Sequence, residues 1–248
     1  MIKLMKYEFR KTLFVKLIVL GAMALAEIAF LVGLWGDKER TLSLSILLLT
    51  FIALGGIMII GLASVVILHR DVSTRQSYML FMTPNSSTTI LGAKLLENGL
   101  SIVMAGACFF ALGALDITML FAKMGQLEDL WQMIMSFLHS INQEITLDLP
   151  VMLSLMISIL GNWISTVTAM YLGVVVANAL LNGKRFSGFL SFIIIVILLW
   201  AVSWVQMQAA DIKASIQTVF LIDAGIALLA SLVMYIVTAQ IMERKLSV

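Results

Sequence analysis

The sequence predicts an all-α integral membrane protein of about six transmembrane helices. Three observations carry this. Of 248 residues, 61% are hydrophobic and only 12% charged, against about 45–50% and about 25% in a soluble domain. The apolar residues gather into runs long enough to cross a bilayer, which takes about 20 of them in a helix. The charged residues collect between those runs.

The elements follow in chain order. Met1–Thr12 places Ile2, Met5 and Phe9 on one face, with Lys3, Lys6, Arg10 and Lys11 mostly elsewhere. That pattern predicts a basic amphipathic helix on the membrane surface over residues 1–12. The apolar runs are Leu13–Trp35, Leu42–Leu68, Leu95–Ala122, Leu149–Leu181, Phe186–Ala210 and Ser215–Ile241. The first resembles a signal peptide, but Lys16 interrupts it and it continues to Trp35, so a retained span is expected. Between the third and fourth runs, residues 123–148 carry Leu127, Leu130, Trp131, Ile134, Leu138 and Ile141 at helical spacing. This predicts an amphipathic helix outside the membrane core. Whether lipid or protein covers its apolar face stays open.

Orientation follows from Lys and Arg. With both termini on one side, that side holds twelve of the sixteen basic residues; Lys38, Arg40, Lys123 and Lys213 lie on the other. The positive-inside rule then places both termini, and the loop 69–96, in the cytoplasm. No internal repeat is visible, which counts against carriers built from inverted halves.

The catalytic inventory is thin. His69 and His139 fall on opposite sides of the expected membrane, and the single cysteine, Cys108, sits in an apolar run. Neither a catalytic constellation nor a metal site is expected, and the sequence has no phosphate-binding loop. The connections are too short for a nucleotide-binding domain, so any ATP would be hydrolysed by another chain. Nucleic acid is not an expected partner; the lipid bilayer is.

Three acids inside spans are candidate substrate-path residues: Glu27, Asp116 and Asp223. A carboxylate at that depth must be paired, protonated or in contact with water. One reading is an outward-facing polar cavity for a cationic or amphipathic substrate. The other is structural, with local pairing to Lys123 or Lys213. The fourth run also carries Gly161, Ser165, Ala169, Gly173 and Ala177, each four apart. This stripe of small residues predicts close helix packing, within the chain or with another.

The loop 69–96 is the most distinctive stretch. It contains Arg70-Asp71, then Tyr78-Met79-Leu80-Phe81, then Thr83-Pro84, and Ile90-Leu91-Gly92-Ala93-Lys94-Leu95-Leu96 leading into the third span. Tyr78, Leu80, Phe81 and Met82 in a cytoplasmic loop call for a cover. Pro84 should end their segment, and Ser86, Ser87 or Thr88 should cap the next helix. This order of motifs resembles the ABC-2-type permeases, the membrane subunits of a class of bacterial ABC exporters. Lys6-Tyr7-Glu8-Phe9-Arg10-Lys11 is similar to that family's N-terminal amphipathic helix. One departure is visible: the family has an acid shortly before the tyrosine, where this chain has Arg75-Gln76-Ser77.

The resemblance implies an exporter subunit in the bacterial cytoplasmic membrane that moves an amphipathic peptide or lipophilic drug outward. ATP and magnesium would be bound by separate ATPase subunits docked on Arg70, Asp71, Arg75, Tyr78, Leu80, Phe81 and Pro84. A second permease, identical or related, would complete the transporter. Rival expectations are an ion-coupled carrier using the three acids, a substrate-binding membrane subunit of an importer, and an intramembrane enzyme.

Overall fold

A chain that crosses lipid must satisfy its backbone N–H and C=O groups internally, and helices do this within one segment. The computed structural model describes residues 2–73, 86–144, 149–181, 186–210 and 215–245. Among them, seven helices follow in order: α1 (Ile2–Trp35), α2 (Glu39–Ser73), α3 (Ser87–Met124), α4 (Leu127–Glu144), α5 (Leu149–Leu181), α6 (Ser187–Ala210) and α7 (Ile216–Lys245). All but α4 are long and apolar enough to span a membrane, giving six candidate spans. The protein is an all-α, multi-pass membrane protein.

The expected runs are all helical, and several helices outgrow them. The run Leu95–Ala122 lies within α3, which starts at Ser87, and Leu42–Leu68 lies within α2, which ends at Ser73. The backbone ladder continues into polar sequence because water ends the hydrocarbon, not the helix. Ser86 caps α3, its Oγ accepting from the Thr89 N–H at 3.3 Å.

The largest difference is at the start. Residues 1–12 were expected as a separate surface helix; residues 2–35 form one unbroken helix of 34 residues. At 1.5 Å per residue that is about 51 Å, longer than a hydrocarbon core of about 30 Å. No proline or glycine precedes Gly21 to break it. Its protein-facing side carries polar residues. Glu8 and Thr12 are buried, whereas Ile2 and Leu13 are exposed. Where the surroundings are apolar, a hydrophobic residue gains nothing by turning inward, and the polar ones must find partners inside.

The chain divides into two compact units. One comprises residues 6–64 and 96–145. Its core takes Val19, Met23, Ala26, Phe30 and Leu34 from α1, Leu49 and Ile60 from α2, and Ala105 and Phe109 from α3. The α1 contribution recurs every three or four residues, one stripe of a helix. The turn from α1 to α2 needs Gly33: a Cβ there would lie 2.7 Å from the Leu42 backbone nitrogen. In α4, Leu130 is buried, while Leu127, Trp131 and Ile134 of the same expected face remain exposed.

The other unit comprises residues 1–5, 65–95 and 146–248. Helix α5 is its centre, packed against α6 and α7. The small-residue stripe makes this closeness workable. Gly161, Ser165, Ala169, Gly173 and Ala177 are all buried. A Cβ on Gly161 would meet the Ala224 carbonyl oxygen of α7 at 3.3 Å, and one on Gly173 would meet Ile195 Cγ1 of α6 at 2.5 Å. The partners of these two glycines lie within the chain. Phe189, Phe192, Ile197, Trp200 and Trp204 of α6 point outward.

Candidate functional site

Residues 74–85 lie outside the described residues, and with them Arg75, Tyr78, Leu80, Phe81 and Pro84 of the expected docking loop. What the structure describes is how the loop is rooted. Arg70, in the last turn of α2, is exposed; Asp71 beside it is buried. Lys94 of α3 donates to Asp71 Oδ2 at 2.8 Å, and the two side chains are 1% and 8% exposed.

The apolar residues around that pair complete the root. Leu68 and Val72 of α2 and Leu91 of α3 share one core cluster with Tyr171, Val174 and Val175 of α5 and Met242 of α7. Two hydrogen bonds extend it. His69 Nε2 is 3.1 Å from Ser187 Oγ at the start of α6. Tyr235 Oη of α7 donates to the Thr88 carbonyl oxygen at 2.5 Å. Both ends of the loop are therefore seated in the core formed by α5 and α7, and one is tied to α6.

The three acids do not form one site. Asp223 belongs to the unit containing α5, α6 and α7, where it has ample donors. Ser158 Oγ donates to its Oδ2 at 2.5 Å, and Asn162 Nδ2 does so at 2.6 Å. Asn162 Oδ1 in turn accepts from Gln206 Nε2 at 2.7 Å. A polar chain thus runs from α6 through α5 to α7, a satisfied network that binds three helices together.

Glu27 and Asp116 belong to the other unit, where α1 and α3 bring their carboxyl groups face to face. One oxygen of each, Glu27 Oε2 and Asp116 Oδ1, is buried without a hydrogen-bond partner. The expected pairing of Asp116 with Lys123 is not found. Lys123 instead donates to Asp37 Oδ1 and to the Leu34 carbonyl oxygen, securing the turn between α1 and α2. A lysine near a helix end reaches the interface, where exposed partners lie.

Sequence reasoning missed a fourth acid, Glu97 of α3. Its Oε1 accepts from three donors: Lys16 Nζ at 2.5 Å, Thr12 Oγ1 at 2.8 Å and Ser101 Oγ at 2.9 Å. This buried hub explains both the lysine in the first apolar run and the inward-facing Thr12. The available signal was the one base of the first apolar run and an acid at the start of the third, both near the same expected membrane surface. No family model matches the sequence, and neither a curated protein nor a solved structure matches it.

Proposed function

We propose that this chain is the membrane-spanning permease subunit of an ATP-driven ABC exporter in a bacterial cytoplasmic membrane. Separate ATPase subunits, which bind ATP and magnesium, dock on the loop 69–96. A second permease, identical or related, completes the transporter. The exported molecule is an amphipathic peptide or a lipophilic drug. The reading starts from the resemblance of that loop to ABC-2-type permeases.

The buried Asp71–Lys94 pair is the observation that carries it furthest. A coupling loop must pass movement of a docked partner to the spans, which requires stiff roots. Here each root packs against α5 and α7, so a push on the loop displaces the ends of those helices instead of being absorbed.

The test is co-purification. The chain is extracted from its native membrane in mild detergent, and bound proteins are identified by mass spectrometry. Recovery of an ATPase with ATP turnover supports the reading. A second reading, an ion-coupled carrier, is favoured by the facing carboxyls of Glu27 and Asp116. It predicts transport by the reconstituted chain alone, driven by an ion gradient without ATP, and that result would replace the exporter proposal.

A further inference from the structure

The unit formed by residues 6–64 and 96–145 holds a cavity of about 390 Å³. Its walls come from α1, α2 and α3 and include Phe30, Leu49, Phe109 and Asp116. We propose that this cavity is a binding site for a lipophilic organic cation, held by Asp116 with Glu27 beside it. This deepens the export reading by naming a substrate class, and it rests on that reading only for the direction of movement.

Charge decides the sign of the ligand. Asp116 is 8% exposed, and its Oδ1 and Glu27 Oε2 are buried without hydrogen-bond partners. Facing carboxyls hydrogen-bond through a shared proton, which leaves the pair one negative charge for a counter-charge to meet. Among the described residues, no ion pair joins a base of this unit to Glu27 or Asp116. Lys16 is committed to Glu97, Lys123 to Asp37 and Lys11 to Glu8. The partner we assign to that charge is a cation from outside the unit.

The walls decide its chemistry. A bare metal ion needs several oxygen ligands, and among the described residues no group of three His, Cys, Asp or Glu could hold one. Of the lining side chains, only Thr50 and Asp116 are polar, and the Thr50 hydroxyl is already donated to the Ile46 carbonyl oxygen at 2.9 Å. The remaining surface is aliphatic and aromatic. A ligand that fits both features has a charged centre and an apolar body, and the volume lies within the range of about 300–1,000 Å³ usual for small-molecule sites.

The experiment uses the full chain in phosphatidylcholine nanodiscs without any ATPase, with empty nanodiscs subtracted. The probes are tetraphenylphosphonium and tetraphenylborate, ions of closely matched shape and opposite charge. Saturable binding of the cation and none of the anion is expected. Asp116→Asn, alone or combined with Glu27→Gln, should weaken cation binding about tenfold or more, as the loss of a charge-assisted contact does. Gly113→Leu provides an independent arm. Gly113 lines the cavity, and a Cβ there meets no atom within 4 Å. Filling it should abolish cation binding while thermal stability is retained. Equal binding of both ions would reduce the cavity to a lipid-filled cleft and overturn the proposal. Unchanged cation binding by Asp116→Asn or by Gly113→Leu would overturn it as well. If the carboxyl variants fail to fold, the ion comparison and Gly113→Leu decide. Absence of a co-purifying ATPase, which would sink the exporter reading, leaves this measurement untouched.

Discussion

Lys94 and Asp71, 23 residues apart, form an ion pair of 2.8 Å with both side chains almost fully buried. Removing one member takes a buried ion-pair partner from the other, and breaking such a pair costs about 3–5 kcal/mol. Lys94→Met and Asp71→Leu should each lower the thermal unfolding temperature in detergent markedly. The double variant should recover part of that loss, because an apolar pair of similar volume does not leave a charge behind. A double variant as unstable as the sum of the two single ones would mean the residues act independently.

The docking proposal makes a separate demand on Tyr78 and Phe81. Aromatic anchors at interfaces often contribute about 2 kcal/mol or more each. Replacing both with Ala should release the ATPase during purification without altering the unfolding temperature of the chain. Full retention of the ATPase, with substrate-stimulated turnover intact, would move the docking surface elsewhere.

The glycines give a paired test of packing. On Gly173 a Cβ would approach Ile195 Cγ1 to 2.5 Å and the Ser191 carbonyl oxygen to 3.2 Å, whereas on Gly106 it would meet nothing within 4 Å. Gly173→Leu should destabilise by about 1–3 kcal/mol or more through overpacking. Gly106→Ala should be neutral or stabilise by up to about 1 kcal/mol, the helix preference of Ala over Gly. Unfolding temperatures of the two variants, measured side by side, must differ in that order.

The hub at Glu97 ties α1 to α3. Glu97→Gln keeps an acceptor for Thr12 and Ser101 but removes the charge opposite Lys16, so a loss of about 3–5 kcal/mol is expected. Adding Lys16→Met to that variant should restore most of it. The comparison is made at low and high salt; because Glu97 is buried, the difference should persist in both. A loss that vanishes in salt would place the pair at an exposed surface.

The network around Asp223 sets a contrasting expectation. Asn162 donates to Asp223 and accepts from Gln206, so Asn162→Ala orphans partners on two other helices. A loss of about 1–3 kcal/mol is expected. Asp223→Asn should cost less, since an amide oxygen still accepts from Ser158 and Asn162. If Asp223→Asn instead leaves stability unchanged and alters which molecules are transported, this acid belongs to the substrate path and not to the frame.

The sequence by itself determined the spans. A run such as Leu149–Leu181, which the structure keeps as α5 without change, is legible because lipid acts on each segment alone and rewards apolar length. The stripe from Gly161 to Ala177 was legible for a similar reason: small residues four apart share one face of any helix. Only the tertiary structure decided the pairings. Lys16 meets Glu97 across 81 residues, Glu27 meets Asp116 and not a base, and Asp223 is satisfied by amide and hydroxyl donors. Hydropathy records that a polar group sits within a span, but the group's partner depends on which helices pack together and at what rotation. That choice is made by side-chain shape and by the need to satisfy each buried polar atom, both of which are properties of the assembled bundle.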